Sequence, residues 1–388
     1  MDERMECFFG MSKTILFDVD GVFLSEERYF DASALTIWEM LFSEKYIGIE
    51  GQVFVPAPVE KEIRRVRSDV FADDQVLAFM KGQGINSNWD MVYLVVSYQL
   101  ICLASKLKET KPEEVRVLLT NQIGREEIRN IQALLRSEKL SFSPDYSAFV
   151  TDFSKGNVEK SEMLLYLNQI AYDKCGIKTS IFARTSSLWE LCQETFQEWY
   201  LGDALIADSI GRTAHQLGKK GFLSDEIPIV DPAVIQGVLQ GLRDRGYRLG
   251  IGTGRPSIET YVPLKELGIL DFFEPDCIVT ASHVLRAEQE YPEAAPLSKP
   301  HPYCYFQGYL TRGSGVMAAL SCQLTQEERE NLLVVGDSVA DLMAARSIGC
   351  QFAATLTGLS GEEAREKFEQ ENAEFILRDV SEISTIAF

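Results

Sequence analysis

The sequence predicts an α/β protein with a doubly wound parallel sheet and an inserted α-helical domain. The β-branched and aromatic run Thr14–Phe17 stops at acidic residues and a glycine, which is typical of a buried strand. From Ile227 onward, strand-like and helix-like segments alternate, as in a parallel sheet with right-handed crossovers. Between these two parts lie roughly 200 residues of helical pattern, too many for a loop inside a compact domain.

The first strand and the later alternating segment therefore belong to one domain. We expect a catalytic α/β core domain of residues 1–24 and 228–388 and an inserted helical cap domain of residues 25–227. A chain of 388 residues exceeds the usual size of one domain, which agrees with this division.

The elements of the core follow from hydrophobic runs and their end signals. Gly246 is typical of the residue that follows a helix, and Pro263 predicts a helix break near Tyr261 because proline lacks an N–H. The patterns predict helices over 233–245, from Pro256, over 314–324 and over 340–347, and strands over 247–253, 277–280, 331–335 and 352–355.

The cap sequence indicates helices with recognisable ends. The predicted helices cover residues 91–107 with Asp90 as N-cap, residues 160–175 ending at Gly176, and residues 188–200 with Ser187 and Glu190 as capping box and Gly202 as the stop. Trp189, Phe196 and Trp199 fall at near-helical spacing, and we interpret them as core residues of the cap.

Composition limits the class of partner. The net charge of −20 argues against nucleic acid and anionic membranes, which need a basic face. No stretch approaches ~18 uninterrupted apolar residues, and the N-terminus lacks a signal-peptide pattern. Eight scattered cysteines without a Cys-x-x-Cys pair indicate reduced thiols. We expect a cytoplasmic protein, and the sequence does not specify its oligomeric state.

The most informative feature of the core is the aspartate pair Asp18 and Asp20, which is followed by Gly21. Open α/β sheets bind ligands at the carboxyl ends of their strands. A carboxylate there can act as a nucleophile or a metal ligand, and its neighbour can transfer protons. The alternative is a strand-end turn, which Asp and Gly also favour.

Three later segments carry groups that this pair would need. Thr253 and Gly254 follow a predicted strand, where a hydroxyl and backbone N–H groups can hold phosphoryl oxygens. Lys299 lies in a proline-stiffened segment. Asp337 and Asp341 follow another predicted strand and place two more carboxylates at a sheet edge.

In order and context, these segments resemble the four motifs of the haloacid dehalogenase superfamily. The matching residues are Asp18-Val19-Asp20-Gly21, Thr253, Lys299 and Gly336-Asp337-Ser338-Val339-Ala340-Asp341. Residues 250–256 and the Lys-Pro segment resemble the phosphoglycolate-phosphatase-like branch, which has a helical cap. The resemblance covers residues 12–24 and about 228–360, and it implies a Rossmann-like core.

The resemblance implies a role for each matched residue. Asp18 would attack phosphorus and form an aspartyl-phosphate, and Asp20 would protonate the leaving group and later deprotonate water. Thr253 and the Gly254 N–H would bind the transferring phosphoryl group. Lys299 would offset the charge repulsion and hold Asp18 in place.

The resemblance also implies a Mg²⁺ ion. Its ligands would be the Asp18 side chain, the Asp20 backbone carbonyl and the Asp337 carboxylate, completed by water and phosphate. Ser338 and Asp341 would lie next to Asp337 and Lys299 and help to orient them.

We therefore expect a Mg²⁺-dependent phosphatase that hydrolyses a small phosphorylated metabolite. Two alternatives stay open: a phosphomutase that uses the same aspartyl-phosphate, and a partner-binding protein whose large cap carries the function and whose catalysis is residual. The cap, at roughly 200 residues, is larger than the helical bundle common in this branch.

Substrate selection is expected from the cap, which would exclude water and contact the leaving group. Asn86, Asn88 and Trp89 lie in a polar, glycine-flanked loop before a helix, and Arg184 is a further candidate. The alternative is that this loop is a helix-capping turn with Trp89 packed in the cap core.

Overall fold

The computed structural model describes residues 13–85, 87–156, 158 and 162–386. The chain divides into two compact units. The first, the core unit, contains the chain up to Glu26 and from Leu223 onward, and the second, the cap unit, contains Glu27–Phe222. The boundaries predicted from the sequence lie after residues 24 and 227.

The core unit is built on a parallel sheet, as predicted. The described strands are β1 (Thr14–Phe17), β2 (Arg248–Gly252), β3 (Ile278–Val279), β4 (Leu332–Gly336), β5 (Gln351–Thr355) and β6 (Phe375–Leu377). Their order is β3-β2-β1-β4-β5-β6, and each pair is parallel. Phe17 pairs with Ile251 on one side and Val335 on the other. The residues after β1, β2 and β4 therefore meet at one edge of the sheet.

The strand β1 lies between β2 and β4, and hydrophobic clusters cover both of its faces. Ile15 and Phe17 belong to the hydrophobic cluster on one face of the sheet, and Leu16 belongs to the cluster on the other face. A strand covered on both faces reads as a continuous hydrophobic run rather than an alternating one.

Helices and short turns of 3₁₀ helix connect the strands. The α-helices of this unit are α10 (Pro232–Asp244), α11 (Ser257–Glu266), α12 (Ala281–Glu290), α13 (Tyr303–Leu310), α14 (Val316–Leu320), α15 (Gln326–Glu330), α16 (Val339–Ile348) and α17 (Arg365–Gln370). The N-cap of α10 is Asp231, whose side chain accepts from the Ala233 N–H, and α16 ends at Gly349, whose φ is 79°.

The predicted strands and the long predicted helices are present with shifted ends. The strand predicted over 277–280 is shorter, because Pro275–Cys277 forms a 3₁₀ turn. The helix predicted over 314–324 begins after Gly315 and ends at Leu320. The sequence patterns did not indicate β6, α12, α13, α15 or α17.

The predicted break in α11 is wrong. Pro263 lies inside a continuous helix. The carbonyl that its missing N–H would have bonded is that of Glu259, and this oxygen accepts a hydrogen bond from Arg255 Nη1 at 3.3 Å. A side chain thus replaces one bond of the helix.

The described part of the cap unit is helical, as predicted, and contains no strand. Its helices are α1 (Glu27–Phe42), α2 (Glu60–Phe71), α3 (Gln75–Gly82), α4 (Asn88–Leu107), α5 (Pro112–Leu118), α6 (Arg125–Glu138), α7 (Ser147–Phe153), α8 (Glu162–Cys175) and α9 (Ser187–Ile210). The helices α1, α8 and α9 pack against α4.

The helix α4 is long and apolar enough to cross a membrane by length and composition, but its most apolar window is 83% buried within the structure. A helix that is hydrophobic all round is typical of the centre of a large domain. The predicted core residues Trp189, Phe196 and Trp199 are also buried here.

Several predicted helix ends in the cap differ from the structure. Asp90 is not the N-cap of α4, because Ser87 caps it and accepts from the Asp90 N–H. The cap of α9 is Ser186 rather than Ser187. The predicted stop at Gly202 coincides with a non-helical residue, φ 71° and ψ 172°, at which two helical segments of α9 meet in a kink.

The described cysteines are all free, and their redox state stays a prediction. They are Cys102, Cys175, Cys192, Cys277, Cys304, Cys322 and Cys350.

The kink at Gly202 gives a test of the cap. An added Cβ at Gly202 would lie 2.5 Å from the Lys220 carbonyl oxygen, whereas at Gly211, with φ 70°, it meets no atom within 4 Å. We expect Gly211→Ala to lower the free energy of unfolding by about 1 kcal/mol, the cost of a left-handed backbone. Gly202→Ala should cost about 3 kcal/mol, since the clash is added.

Urea unfolding followed by circular dichroism measures both variants. Equal losses in the two would contradict the close packing at Gly202.

Candidate active site

The sheet edge collects the acidic residues that the sequence analysis singled out. Asp18 follows β1 and Asp337 follows β4, so the paired register brings them to neighbouring strand ends. Asp341 lies in the first turn of α16. Carboxylate oxygens of these three residues lie within 4.8 Å of one another.

Lys299 contacts two members of this cluster. Its ammonium lies 3.0 Å from Asp18 Oδ2 and 2.7 Å from Asp341 Oδ1, and it also lies 5.1 Å from the centre of the Tyr305 ring. Such a buried cation can offset two carboxylates because each pair is close and the surroundings exclude water. The sequence prediction that Lys299 lies beside Asp18 agrees with this geometry.

Asp341 is the anchor for Lys299. Its carboxylate accepts hydrogen bonds from the Tyr305 hydroxyl at 2.7 Å and the Ser338 hydroxyl at 2.6 Å, and its side chain is fully buried. Ser338 also caps α16 by accepting from the Asp341 N–H. Ser338 therefore acts on Asp341, and Asp341 in turn fixes Lys299.

Asp337 is held against backbone rather than against a cation. An added Cβ at Gly21 or at Gly358 would lie 2.1 Å from Asp337 Oδ2. Gly21 also has φ 66°, so only glycine fits there without strain. Among the described residues of this edge, Lys299 pairs with Asp18 and Asp341 and Arg255 pairs with Asp20 and Glu226, but no ion pair includes Asp337.

Burial and neighbouring charges shift the pKa values of the ionisable groups at this site. Desolvation raises the pKa of Asp18 to about 7, although Lys299 acts in the opposite direction. Desolvation and the neighbouring carboxylates of Asp341 and Asp18 raise the pKa of Asp337 well above its ordinary value. The same carboxylates raise the pKa of Lys299, which keeps it charged.

A divalent cation fits this arrangement. The site presents oxygen ligands only, and carboxylate oxygens are the ligands that Mg²⁺ prefers. Asp18 and Asp337, two of the three predicted ligands, are in the cluster of close carboxylates. The third member of that cluster is Asp341, which Lys299 already engages, and the predicted contribution of Asp20 comes from its backbone carbonyl.

Asp20 has a different environment from Asp18. Its Oδ1 accepts two hydrogen bonds from Arg255, at 2.8 Å from Nε and 2.6 Å from Nη2. Arg255 Nη1 donates to Glu226 Oε1 at 2.7 Å. The side chain of Asp20 is 24% exposed, whereas that of Arg255 is 1% exposed.

Thr253 and Gly254 follow β2 at the same edge. The Thr253 hydroxyl is buried and accepts from the Arg255 N–H at 3.2 Å, so its own hydrogen can still be donated. Gly254 is exposed, and a Cβ there would meet no atom.

The candidate specificity residues belong to the cap unit. Asn86 lies outside the described residues. Asn88 begins α4, and Trp89 packs edge-on against Trp189 with ring centres 6.0 Å apart. Arg184 is mostly exposed, 3.7 Å from Asp90 Oδ1. A substrate contact by any of them stays a prediction.

Three residues of this edge were not assigned as site residues from the sequence. They are Arg255, Glu226 and Tyr305. Arg255 could have been found, since an arginine in a Thr-Gly-Arg turn beside carboxylates is an obvious partner for one of them. Tyr305 gave no signal because α13 was not predicted.

A parallel sheet that gathers aspartates and a lysine at its carboxyl edge, with a helical unit inserted after the first strand, is the architecture expected of the haloacid dehalogenase superfamily. A family model described as HAD-hydrolase-like matches residues 298–383. A crystal structure from the Northeast Structural Genomics Consortium, target ZR25, is 34% identical with a TM-score of 0.84, and the alignment covers 96% of this chain and 97% of that chain.

A phosphoglycolate phosphatase from Nitrosococcus oceani is 32% identical over 148 residues, which is 38% of this chain. The chain spans about half, 48%, of the length of that relative. The chain belongs to the haloacid dehalogenase superfamily, as the four motifs predict.

The charge balance of the edge predicts opposite effects of two matched substitutions. In EDTA, Asp337→Asn should raise the melting temperature by about 2 °C or more, because it removes a carboxylate that has no ion pair among the described residues. The folded-state pKa of Asp337 is raised, so its ionisation destabilises the fold increasingly as pH rises above about 4. By the same linkage, the rise in melting temperature caused by Asp337→Asn should increase from about pH 5 to about pH 8.

Asp341→Asn is the matched control, and it should lower stability by about 3 kcal/mol because it breaks a buried ion pair with Lys299. Scanning fluorimetry with EDTA and with Mg²⁺ measures both. Added Mg²⁺ should stabilise the wild-type chain and not Asp337→Asn. A lower melting temperature for Asp337→Asn in EDTA would contradict the charge excess.

Proposed function

We propose that this chain is a Mg²⁺-dependent phosphatase that hydrolyses a small phosphorylated metabolite through an aspartyl-phosphate on Asp18. The observation that carries the proposal is the Asp18 carboxylate, held 3.0 Å from the Lys299 ammonium at the carboxyl edge of the sheet. The phosphoglycolate phosphatase relative supports the same reaction class.

The first step transfers the phosphoryl group. A carboxylate oxygen of Asp18 attacks phosphorus while the bond from phosphorus to the ester oxygen breaks, and protonated Asp20 gives its proton to the departing oxygen. Thr253 has a hydroxyl hydrogen available for a phosphoryl oxygen, and Lys299 reduces the repulsion between the nucleophile and the phosphate dianion.

The second step regenerates the enzyme. The Asp20 carboxylate takes a proton from a water molecule, whose oxygen attacks phosphorus. The bond between phosphorus and the Asp18 oxygen breaks, which regenerates the Asp18 carboxylate and releases inorganic phosphate, while Asp20 keeps the proton for the next cycle. The same residue thus acts first as an acid and then as a base, and its carboxylate is held by the Arg255 guanidinium.

When bound, Mg²⁺ neutralises charge that develops between the nucleophile and the phosphate. Asp18, Asp337 and the backbone carbonyl of Asp20 would hold it. Asp341 and Ser338 would keep Lys299 in position beside Asp18.

A phosphatase screen tests the proposal. With Mg²⁺, a panel of phosphorylated metabolites that includes phosphoglycolate should yield inorganic phosphate. Asp18→Asn should lower kcat by about 10⁴-fold or more on every active member, because the amide cannot attack phosphorus.

Asp276→Asn is the matched control, an exposed aspartate of the same unit, and its kcat should match that of the wild-type chain. Hydrolysis that survives Asp18→Asn would refute the nucleophile. Activity that needs a sugar bisphosphate and transfers poorly to water would instead identify a phosphomutase.

A further inference from the structure

Arg255 connects two acidic residues that flank the insertion of the cap. Its Nε and Nη2 both donate to Asp20 Oδ1, and its Nη1 donates to Glu226 Oε1. Both side chains of the Arg255–Glu226 pair are nearly inaccessible, at 1% and 3% exposure. A guanidinium buried to this degree keeps one orientation, because each of its donors has a fixed direction.

We propose that Arg255 is a positioning residue that orients the Asp20 carboxylate for proton transfer. The inference rests on the proposed function and adds to it a residue outside the four motifs. Arg255 would not touch the reacting atoms. It would act on the leaving group only through Asp20.

The hydrogen bonds distinguish the two oxygens of Asp20. Both Arg255 donors reach Oδ1, so the proton that is exchanged with substrate and water resides on Oδ2. Two donors of one guanidinium that converge on the same oxygen fix its position, which also limits rotation of the carboxylate. The exposure of Asp20, 24%, leaves it accessible while its orientation is fixed.

The structure holds Arg255 itself from two further directions. Its backbone N–H donates to the Thr253 hydroxyl, and its Nη1 also donates to the carbonyl of Glu259 at 3.3 Å. That carbonyl is available because Pro263, four residues later, has no N–H to bond it. The proline inside α11 thereby provides an acceptor for the arginine.

The backbone of Asp20 is fixed as well. Gly21 N–H donates to the Leu24 carbonyl, and the N–H groups of Phe23 and Leu24 reach the Val19 carbonyl. The remaining freedom of Asp20 lies in its side chain, and Arg255 restricts it.

Leaving-group dependence tests this role. Phenyl phosphate and p-nitrophenyl phosphate have similar shapes, but the nitrophenolate needs little protonation to depart. Arg255→Gln should lower kcat/KM for phenyl phosphate by about 10²-fold and for p-nitrophenyl phosphate by about tenfold or less. Arg255→Lys, which keeps the charge without the two-donor geometry, should fall between.

Arg248→Gln is the matched control. Arg248 begins the same strand, β2, and its guanidinium bonds the Thr14 hydroxyl and the Tyr309 carbonyl, away from the acidic cluster. Its kcat/KM should change equally for both substrates, if at all. Melting temperatures identify any variant that fails to fold. If Arg255→Gln does not fold, the two substrates are compared with Arg255→Lys instead.

A double-mutant cycle separates positioning from structural support. In an Asp20→Asn background, Arg255→Gln should change kcat/KM for p-nitrophenyl phosphate by less than about twofold, because its only route to the substrate has been removed. Losses that multiply, or equal losses on both substrates, would overturn the inference and leave the proposed phosphatase intact. Absence of hydrolysis by the wild-type chain would overturn both.

Discussion

The candidate site depends on the two ion pairs that the ammonium of Lys299 forms. This ammonium lies between Asp18 and Asp341, whose carboxylates would otherwise repel each other in a desolvated environment. Tyr305 and Ser338 hold Asp341, Asp341 holds Lys299, and Lys299 holds Asp18. The carboxylate proposed as the nucleophile is therefore the last member of a chain of hydrogen bonds and ion pairs that begins in α13 and at the N-cap of α16.

Asp337 forms no ion pair with any cation in the part of the chain that the structure describes. Asp337 lies close to the same carboxylates and against the backbone of Gly21 and Gly358. Burial raises the pKa of Asp337, and the neighbouring carboxylates of Asp341 and Asp18 raise it further. A divalent cation bound at this site would relieve the repulsion between the carboxylates that folding brings together.

The sequence predicted the parts of the molecule in which local pattern and physical cause coincide. Thr14–Phe17 is buried on both faces, so its hydrophobic run could be recognised, and the aspartates after it lie where parallel strands end. Contacts made by individual side chains could not be predicted in this way. The bond from Arg255 to the Glu259 carbonyl hides the expected helix break at Pro263, and Tyr305 reaches Asp341 across 36 positions of sequence.

Trapping the covalent intermediate tests the central claim most directly. Asp20→Asn should still accept a phosphoryl group from p-nitrophenyl phosphate, whose leaving group needs little protonation, but should hydrolyse the intermediate slowly because the base is gone. Rapid acid quenching followed by peptide mass spectrometry should then find one phosphate on Asp18 for each nitrophenolate released in the first turnover. Release of nitrophenolate with no phosphate on Asp18 would contradict the account.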